Sequence, residues 1–158
     1  MTSTPRVTCT TKVWRYLGDI LKGMISTLGA PLPKRSTYHS SGYDFFSPGT
    51  FEIFPGEVTV IDSGIRFTDD IDMRKRWTFL LMPRSSLGTR YGMRLLNTTG
   101  NVDQDYRGNI IAHVTADKYF VIKEGDRFMQ GVKVIWDTFE DEEEPTEERK
   151  GGHGSTGA

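Results

Sequence analysis

The sequence predicts an all-β domain of the sandwich or barrel class. Short segments rich in β-branched and aromatic residues recur between residues 31 and 137. Pro-Gly, Asp-Ser-Gly and Glu-Gly-Asp punctuate them at the intervals such folds require. Strands and helices do not alternate, as they would in a doubly wound nucleotide-binding fold. The 158 residues suit one domain, since single cores usually occupy about 100–200 residues.

Three zones follow in chain order. Residues 1–30 read as an N-terminal extension with a polar start and an alternating stretch at Val7–Val13. Trp14, Leu17, Ile20, Leu21, Met24 and Leu28 then follow one face of a helix. Such a helix is expected to pack on the domain; the alternative is a surface for a protein partner or a membrane. In the second zone, residues 31–137, the strand segments are Phe51–Phe54, Val58–Ile61, Gly64–Phe67, Trp77–Met82, Asn109–Val114 and Lys118–Ile122. Ser85–Tyr91 fits no strand pattern and reads as a helical turn. In the third zone, residues 138–158, a run of acidic side chains from Glu140 to Glu148 contains one proline and is expected to be an extended tether. After it comes Arg149-Lys-Gly-Gly-His-Gly-Ser-Thr-Gly157. Two cations, four glycines and two hydroxyls are equipment for wrapping a phosphate, because amides of glycine turns form anion-binding concavities and arginine adds directed donors.

Composition narrows the function classes. A hydrophobic content of 36% gives one modest core with little spare apolar surface, which suits an oligomer. With 20 basic and 21 acidic residues the net charge is −1, so there is no basic field for a nucleic acid. The single Cys9 excludes an intramolecular disulfide and a multi-cysteine metal site. No apolar run approaches the ~20 residues that span a bilayer, and the N-terminus lacks a hydrophobic signal core. A soluble cytoplasmic protein without membrane partners is expected.

Four clusters share the phosphate-handling style of the tail. They are Ser41-Gly-Tyr-Asp-Phe45, Pro83-Arg-Ser-Ser-Leu-Gly88, Asn97-Thr-Thr-Gly-Asn-Val-Asp-Gln-Asp-Tyr-Arg-Gly108 and Glu124-Gly-Asp-Arg-Phe-Met-Gln130. Singly, Gly-Asp-Arg is a common surface turn, Arg-Ser-Ser a capped helix start and Asp-Gln-Asp a solvated loop. In this order, and with the glycine-rich tail, they resemble the five ordered motifs of the trimeric all-β dUTPase family, the deoxyuridine triphosphate nucleotidohydrolases. The resemblance runs from about Leu32 to Gly157, roughly four-fifths of the chain.

The resemblance implies a distorted, jelly-roll-like barrel assembled as a homotrimer, with a C-terminal arm crossing to a neighbouring subunit. It implies hydrolysis of dUTP to dUMP and pyrophosphate with Mg2+. Asp103 would orient and deprotonate the water that attacks the α-phosphorus, a role suited to a carboxylate within hydrogen-bond reach of the nucleophile. Asp105 would be structural, paired with backbone or an arginine. Tyr106 would pack under the deoxyribose and leave no room for a 2′-hydroxyl. Asn97, Gly100 and Val102 match the strip that reads the uracil edge, and a pocket built for that edge leaves polar groups unmatched against cytosine. Arg84, Ser85, Ser86 and Gln130 match the triphosphate contacts. Asp44 would touch the metal's water shell or brace Arg84. In the arm, Gly152, Gly154, Ser155 and Thr156 would take the γ-phosphate.

The chain departs from the family pattern in the arm. His153 stands where the family usually has a phenylalanine that stacks on the uracil. Imidazole is also flat but titrates near neutrality, so affinity is expected to change at about pH 6–7. The family's arginine falls at Glu148 by count, and Arg149 is the nearest, with Lys150 as a less directional substitute. Two rival readings remain. A dCTP deaminase or bifunctional relative would need a carboxylate where Asn109–Val114 has none; His113 could be offered, although a strand histidine is more often packing or surface. A nucleotide-gated interaction protein would use residues 1–30 or the acidic tract.

Overall fold

The computed structural model describes residues 23–139 together with residues 143, 146 and 151. Eleven strands and one short helix are found there. The strands are β1 (Met24–Ser26), β2 (Tyr43–Phe46), β3 (Phe51–Ile53), β4 (Thr59–Asp62), β5 (Ile65–Phe67), β6 (Trp77–Pro83), β7 (Arg94–Leu95), β8 (Gly100–Asp103), β9 (Ile111–Thr115), β10 (Phe120–Ile122) and β11 (Arg127–Ile135); the helix is α1 (Ser85–Tyr91). Every pairing between named strands is antiparallel. Four small sheets, ordered β1-β5, β10-β3, β2-β11-β6-β8 and β4-β9-β7, wrap one core as a distorted jelly-roll-like barrel. Among the described residues no helix is long and apolar enough to cross a membrane.

The four-stranded sheet carries most of the candidate site, and its order follows from side-chain alternation. In β6, Trp77, Phe79 and Leu81 point inward and Thr78, Leu80 and Met82 outward, as a two-residue period requires. Phe79 sits centrally, with ring centroids 6.1 Å from Phe45, 6.0 Å from Phe67 and 6.3 Å from Tyr43. Phe67 in turn meets Trp77 edge-to-face at 5.2 Å and 84°, an arrangement aromatic quadrupoles favour. Gly131, in the middle of β11, belongs to this packing: a Cβ there would fall on the Phe79 ring. Pro83 closes β6 because it has no amide to donate. The chain turns at Arg84 into α1, which ends at Gly92 in the left-handed conformation with its amide on the Gly88 carbonyl, the αL cap.

All six expected strand segments contain strands, with ends moved by one or two residues, and Ser85–Tyr91 is helical. The N-terminal reading needs one correction. Met24, placed on the face of a helix, begins strand β1 and pairs with Phe67, with Ser26 opposite Ile65. The amide of Thr27 donates to Gly64 O at 2.6 Å, and that of Thr68 to Gly23 O at 2.8 Å. Strand β5 would otherwise leave its ladder groups open, so pairing overrides a helical spacing that is weak at its end. Trp14, Leu17, Ile20 and Leu21 lie outside the described residues. Strands β1, β2, β7, β8 and β11 fall outside the six expected segments.

Candidate active site

The first cluster forms around Asp44. Its carboxylate is buried on β2, where alternation alone would not hide a charge. Three donors satisfy it: Arg84 Nε at 3.1 Å on Oδ1, and Arg127 Nη1 at 3.1 Å with Ser36 Oγ at 2.6 Å on Oδ2. Arg127 also donates to Ser36 Oγ at 2.8 Å. Burying an ionised carboxylate costs several kcal/mol unless it is paired and hydrogen-bonded, and here both oxygens are engaged. Arg84 and Arg127 are thereby held at the ends of β6 and β11.

Gln130 belongs to the same corner. It pairs in register with Asp44 on one side and Met82 on the other. Its amide lies against Gly42, so closely that a Cβ on residue 42 would collide with Oε1; only glycine leaves that space open. Ser85 and Ser86 are exposed in the first turn of α1, directly after Arg84, and Arg84 makes no side-chain cap there. The cluster thus presents two braced guanidinium groups, two hydroxyls and an amide, a set of donors suited to a polyanion.

The second cluster lies around the turn between β7 and β8, which pair with β9 and β6 respectively. A pocket of about 280 Å³ is lined by Leu81, Leu95, Leu96, Asn97, Gly100, Ile111, Ala112 and His113. Its lining is mostly apolar, and Asn97 and His113 add the polar side chains. The turn is strained: Thr98 has φ +66°, and the amide of Thr99 donates to Asn97 O at 2.7 Å, the three-residue turn of the rare, costly hand. Val102 turns its side chain into the core, opposite Phe79, so that position offers only its backbone. His113, read from the sequence as packing or surface, is half-buried on β9 and lines the same pocket.

Asp103 ends β8, half-buried, opposite Thr78. The Tyr106 amide donates to Asp103 O at 3.1 Å, which turns the chain back, and its hydroxyl donates to Asn109 O at 3.1 Å while the ring packs on the core. Asp105 is exposed, and Arg107 pairs with Asp69 at 2.9 Å. Gln104 accepts from the amide of Trp77 at 2.9 Å and ties the Asp103 turn to the start of β6.

Position along β6 separates the two clusters. Asp103 faces Thr78, whereas Arg84 lies six residues on, past the opposite end of the strand. At about 3.3 Å per residue that is roughly 20 Å, farther than a triphosphate reaches from its attacked phosphorus. The structure therefore brings Asp44, Arg84, Gln130, Ser85 and Ser86 to one end, and sets Asn97, Gly100, Asp103 and Tyr106 along β8 and its flanking turns. Arg149, Lys150, Gly152, His153, Gly154, Ser155 and Thr156 lie outside the described residues. Sequence reasoning gave no role to Ser36, Thr78 or Arg127, and took Asn101 only as part of the Gly100–Val102 strip. Arg127 stood inside the Gly-Asp-Arg motif and could have been found there, but Ser36 and Thr78 have no local signal.

Fold and site define a class: an antiparallel β barrel with a mostly apolar pocket, a carboxylate at the end of the strand that leaves it and arginines braced on a buried aspartate. Comparison with known proteins specifies it further. Residues 29–157 match the family model described as dUTPase. The deoxyuridine 5'-triphosphate nucleotidohydrolase of Lactococcus lactis subsp. lactis is 35% identical over 139 residues, covering 82% of this chain and 90% of that protein. That of Dictyoglomus turgidum is 38% identical over 138 residues, covering 80% and 90%. Among solved structures, the dUTPase of Streptococcus mutans matches with a TM-score of 0.63 at 28% identity, over 75% of this chain and 98% of that one. A mutant dUTPase from phage phi11 of S. aureus, in which a structural Mg(II) ion is coordinated, shares the fold with a TM-score of 0.66 at 22% identity, over 76% and 94%. The chain belongs to the dUTPase family.

Proposed function

We propose that this chain hydrolyses dUTP to dUMP and pyrophosphate, as a cytoplasmic homotrimer whose sites are shared between subunits. The observation that carries the reading is that strand β8 starts at Gly100, in the lining of a base-sized pocket, and ends at the half-buried Asp103. The uracil edge meets Asn97 and the backbone at Gly100–Val102, and Tyr106 lies under the sugar. A water oxygen bonds to the α-phosphorus, the bond from that phosphorus to the α–β bridging oxygen breaks, Asp103 takes the water's proton, and pyrophosphate leaves. Phosphoryl chemistry leaves the protein mainly positioning and charge stabilisation.

The separation of the two clusters supports a shared site. One copy supplies the pocket and Asp103; a second supplies Arg84, Ser85, Ser86 and Gln130. The arm, with Arg149, Lys150, Gly152, His153, Gly154, Ser155 and Thr156, takes the γ-phosphate and covers the base. Residues 1–30 are left for packing or for a protein partner.

Among the described residues, no three His, Cys, Asp or Glu side chains gather as a metal cage. That fits Mg2+, which keeps several waters and is bound through substrate phosphates. Arg84, Ser85, Ser86 and Gln130 would hold the phosphates that carry it, and it would neutralise their charge for in-line attack. Asp44, which accepts from Arg84, Arg127 and Ser36, serves to brace the arginines.

The test is pyrophosphate release from dUTP, dCTP, dTTP and UTP, with ammonia release measured on dCTP. Only dUTP should be turned over efficiently, and Asp103→Asn should lose about 10²–10⁴ in kcat while still binding nucleotide. An Asp103→Asn variant as fast as the parent, or ammonia release from dCTP, refutes the reading.

A further inference from the structure

Asn101 and Asp103 lie two apart in β8 and therefore project from the same face of the sheet. Asn101 Nδ2 donates to Asp103 Oδ1 at 3.4 Å. An asparagine amide can present either its nitrogen or its oxygen to a neighbour, so something must set its direction. Thr78, opposite Asp103 on β6, does so. Its hydroxyl donates to Asn101 Oδ1, and it also lies 3.1 Å from the carbonyl of Val102. Both contacts are acceptors, so the threonine proton always points into this corner. With Oδ1 anchored on a donor, the amide nitrogen faces the carboxylate; flipped, two oxygens would oppose each other.

The geometry points to Asn101 as a positioning residue for hydrolysis, anchored by Thr78. The inference rests on the reading of Asp103 as general base. An aspartate carboxylate rotates broadly about its last torsion, and a donor held on one oxygen selects the plane in which it meets the water. Productive proton transfer requires hydrogen-bond geometry at about 2.6–3.2 Å, so a freely turning carboxylate spends less time aligned. Asn101 does not touch the reacting atoms. Its effect belongs in turnover and not in nucleotide affinity, and Thr78 acts only through it.

This makes four variants informative in steady-state hydrolysis of dUTP by the full-length protein. Asn101→Leu keeps the size and removes the amide, and should lower kcat by about tenfold with KM within about twofold. Thr78→Val removes the anchor and should lower kcat by about threefold to fivefold, while Thr78→Ser, which keeps the hydroxyl, should run at the parent rate. Because the two residues act as one unit, Thr78→Val combined with Asn101→Leu should be no slower than Asn101→Leu alone. The inference is overturned by a parent-like kcat in Asn101→Leu, by a loss confined to KM, by losses that multiply in the double variant, or by Thr78→Ser behaving as Thr78→Val. A parent that releases no pyrophosphate from dUTP sinks the hydrolase reading itself and this inference with it. A parent that does so, with Asp103→Asn inactive, leaves the Asn101 result to decide this inference alone.

Discussion

Replacing Asp44 by asparagine tests how much of the phosphate-binding corner depends on one buried charge. The substitution keeps size and shape, so no cavity opens. It removes the charge that Arg84 and Arg127 face at 3.1 Å each and sets an amide NH2, a donor, against one of two donor groups. Breaking a buried pair by removing one partner costs about 3–5 kcal/mol. Here the arginine side chains keep 28% and 42% of their exposure and the aspartate 8%, so water recovers part of the loss and about 2–3 kcal/mol is expected. For a chain of this size that lowers the melting midpoint by about 4–12 °C. Circular dichroism melts at one fixed protein concentration measure it, since assembly makes the midpoint concentration-dependent. The same variant should lower kcat/KM for dUTP by about tenfold through KM, because Arg84 loses its brace. A melting midpoint within about 1 °C of the parent's, together with unchanged kcat/KM, would mean that the two arginines hold their places without Asp44.

Three further substitutions probe other links. Gly42→Ala should push the flexible Gln130 amide aside, with a stability cost below about 1.5 kcal/mol and a raised KM for dUTP; an unchanged KM would remove Gln130 from the triphosphate contacts. Thr98→Gly should relieve the left-handed strain in the β7–β8 turn and raise stability by about 1 kcal/mol in denaturant titration; a loss would show the turn to be unstrained. Asp72 is held below the usual carboxylate range chiefly by the side-chain hydrogen bonds from Arg74, and then by the Arg74 amide. Its contribution is present above the unfolded-state value near 3.9 and disappears as pH falls through the lower folded value. The melting difference between Asp72→Asn and the parent should therefore shrink as pH falls below about 4, and a gap constant down to strongly acidic pH would contradict this assignment.

The strands legible in the sequence were those whose own residues carry a signal. Val58–Ile61 and Trp77–Met82 have β-branched or aromatic runs between turn residues, and both are strands. Strand β11 is the longest, yet Arg127, Gln130, Gly131 and Lys133 interrupt its apolar pattern; it is a strand because β2 and β6 flank it and Phe79 fills the space above Gly131. Met24 shows the same effect in reverse, since a helical spacing yielded to an open neighbour in β5.

The sequence by itself determined the fold class and the order of the phosphate-handling motifs, because turn chemistry and motif residues are local in the chain. Only the tertiary structure decided which side chains meet. It joined Ser36 and Asp44 to Arg84 and Arg127, and it anchored Asn101 on Thr78. It also put Asp103 and Arg84 at opposite ends of β6. Contacts between distant residues follow from strand register, and register is settled by the whole core, which no single segment encodes.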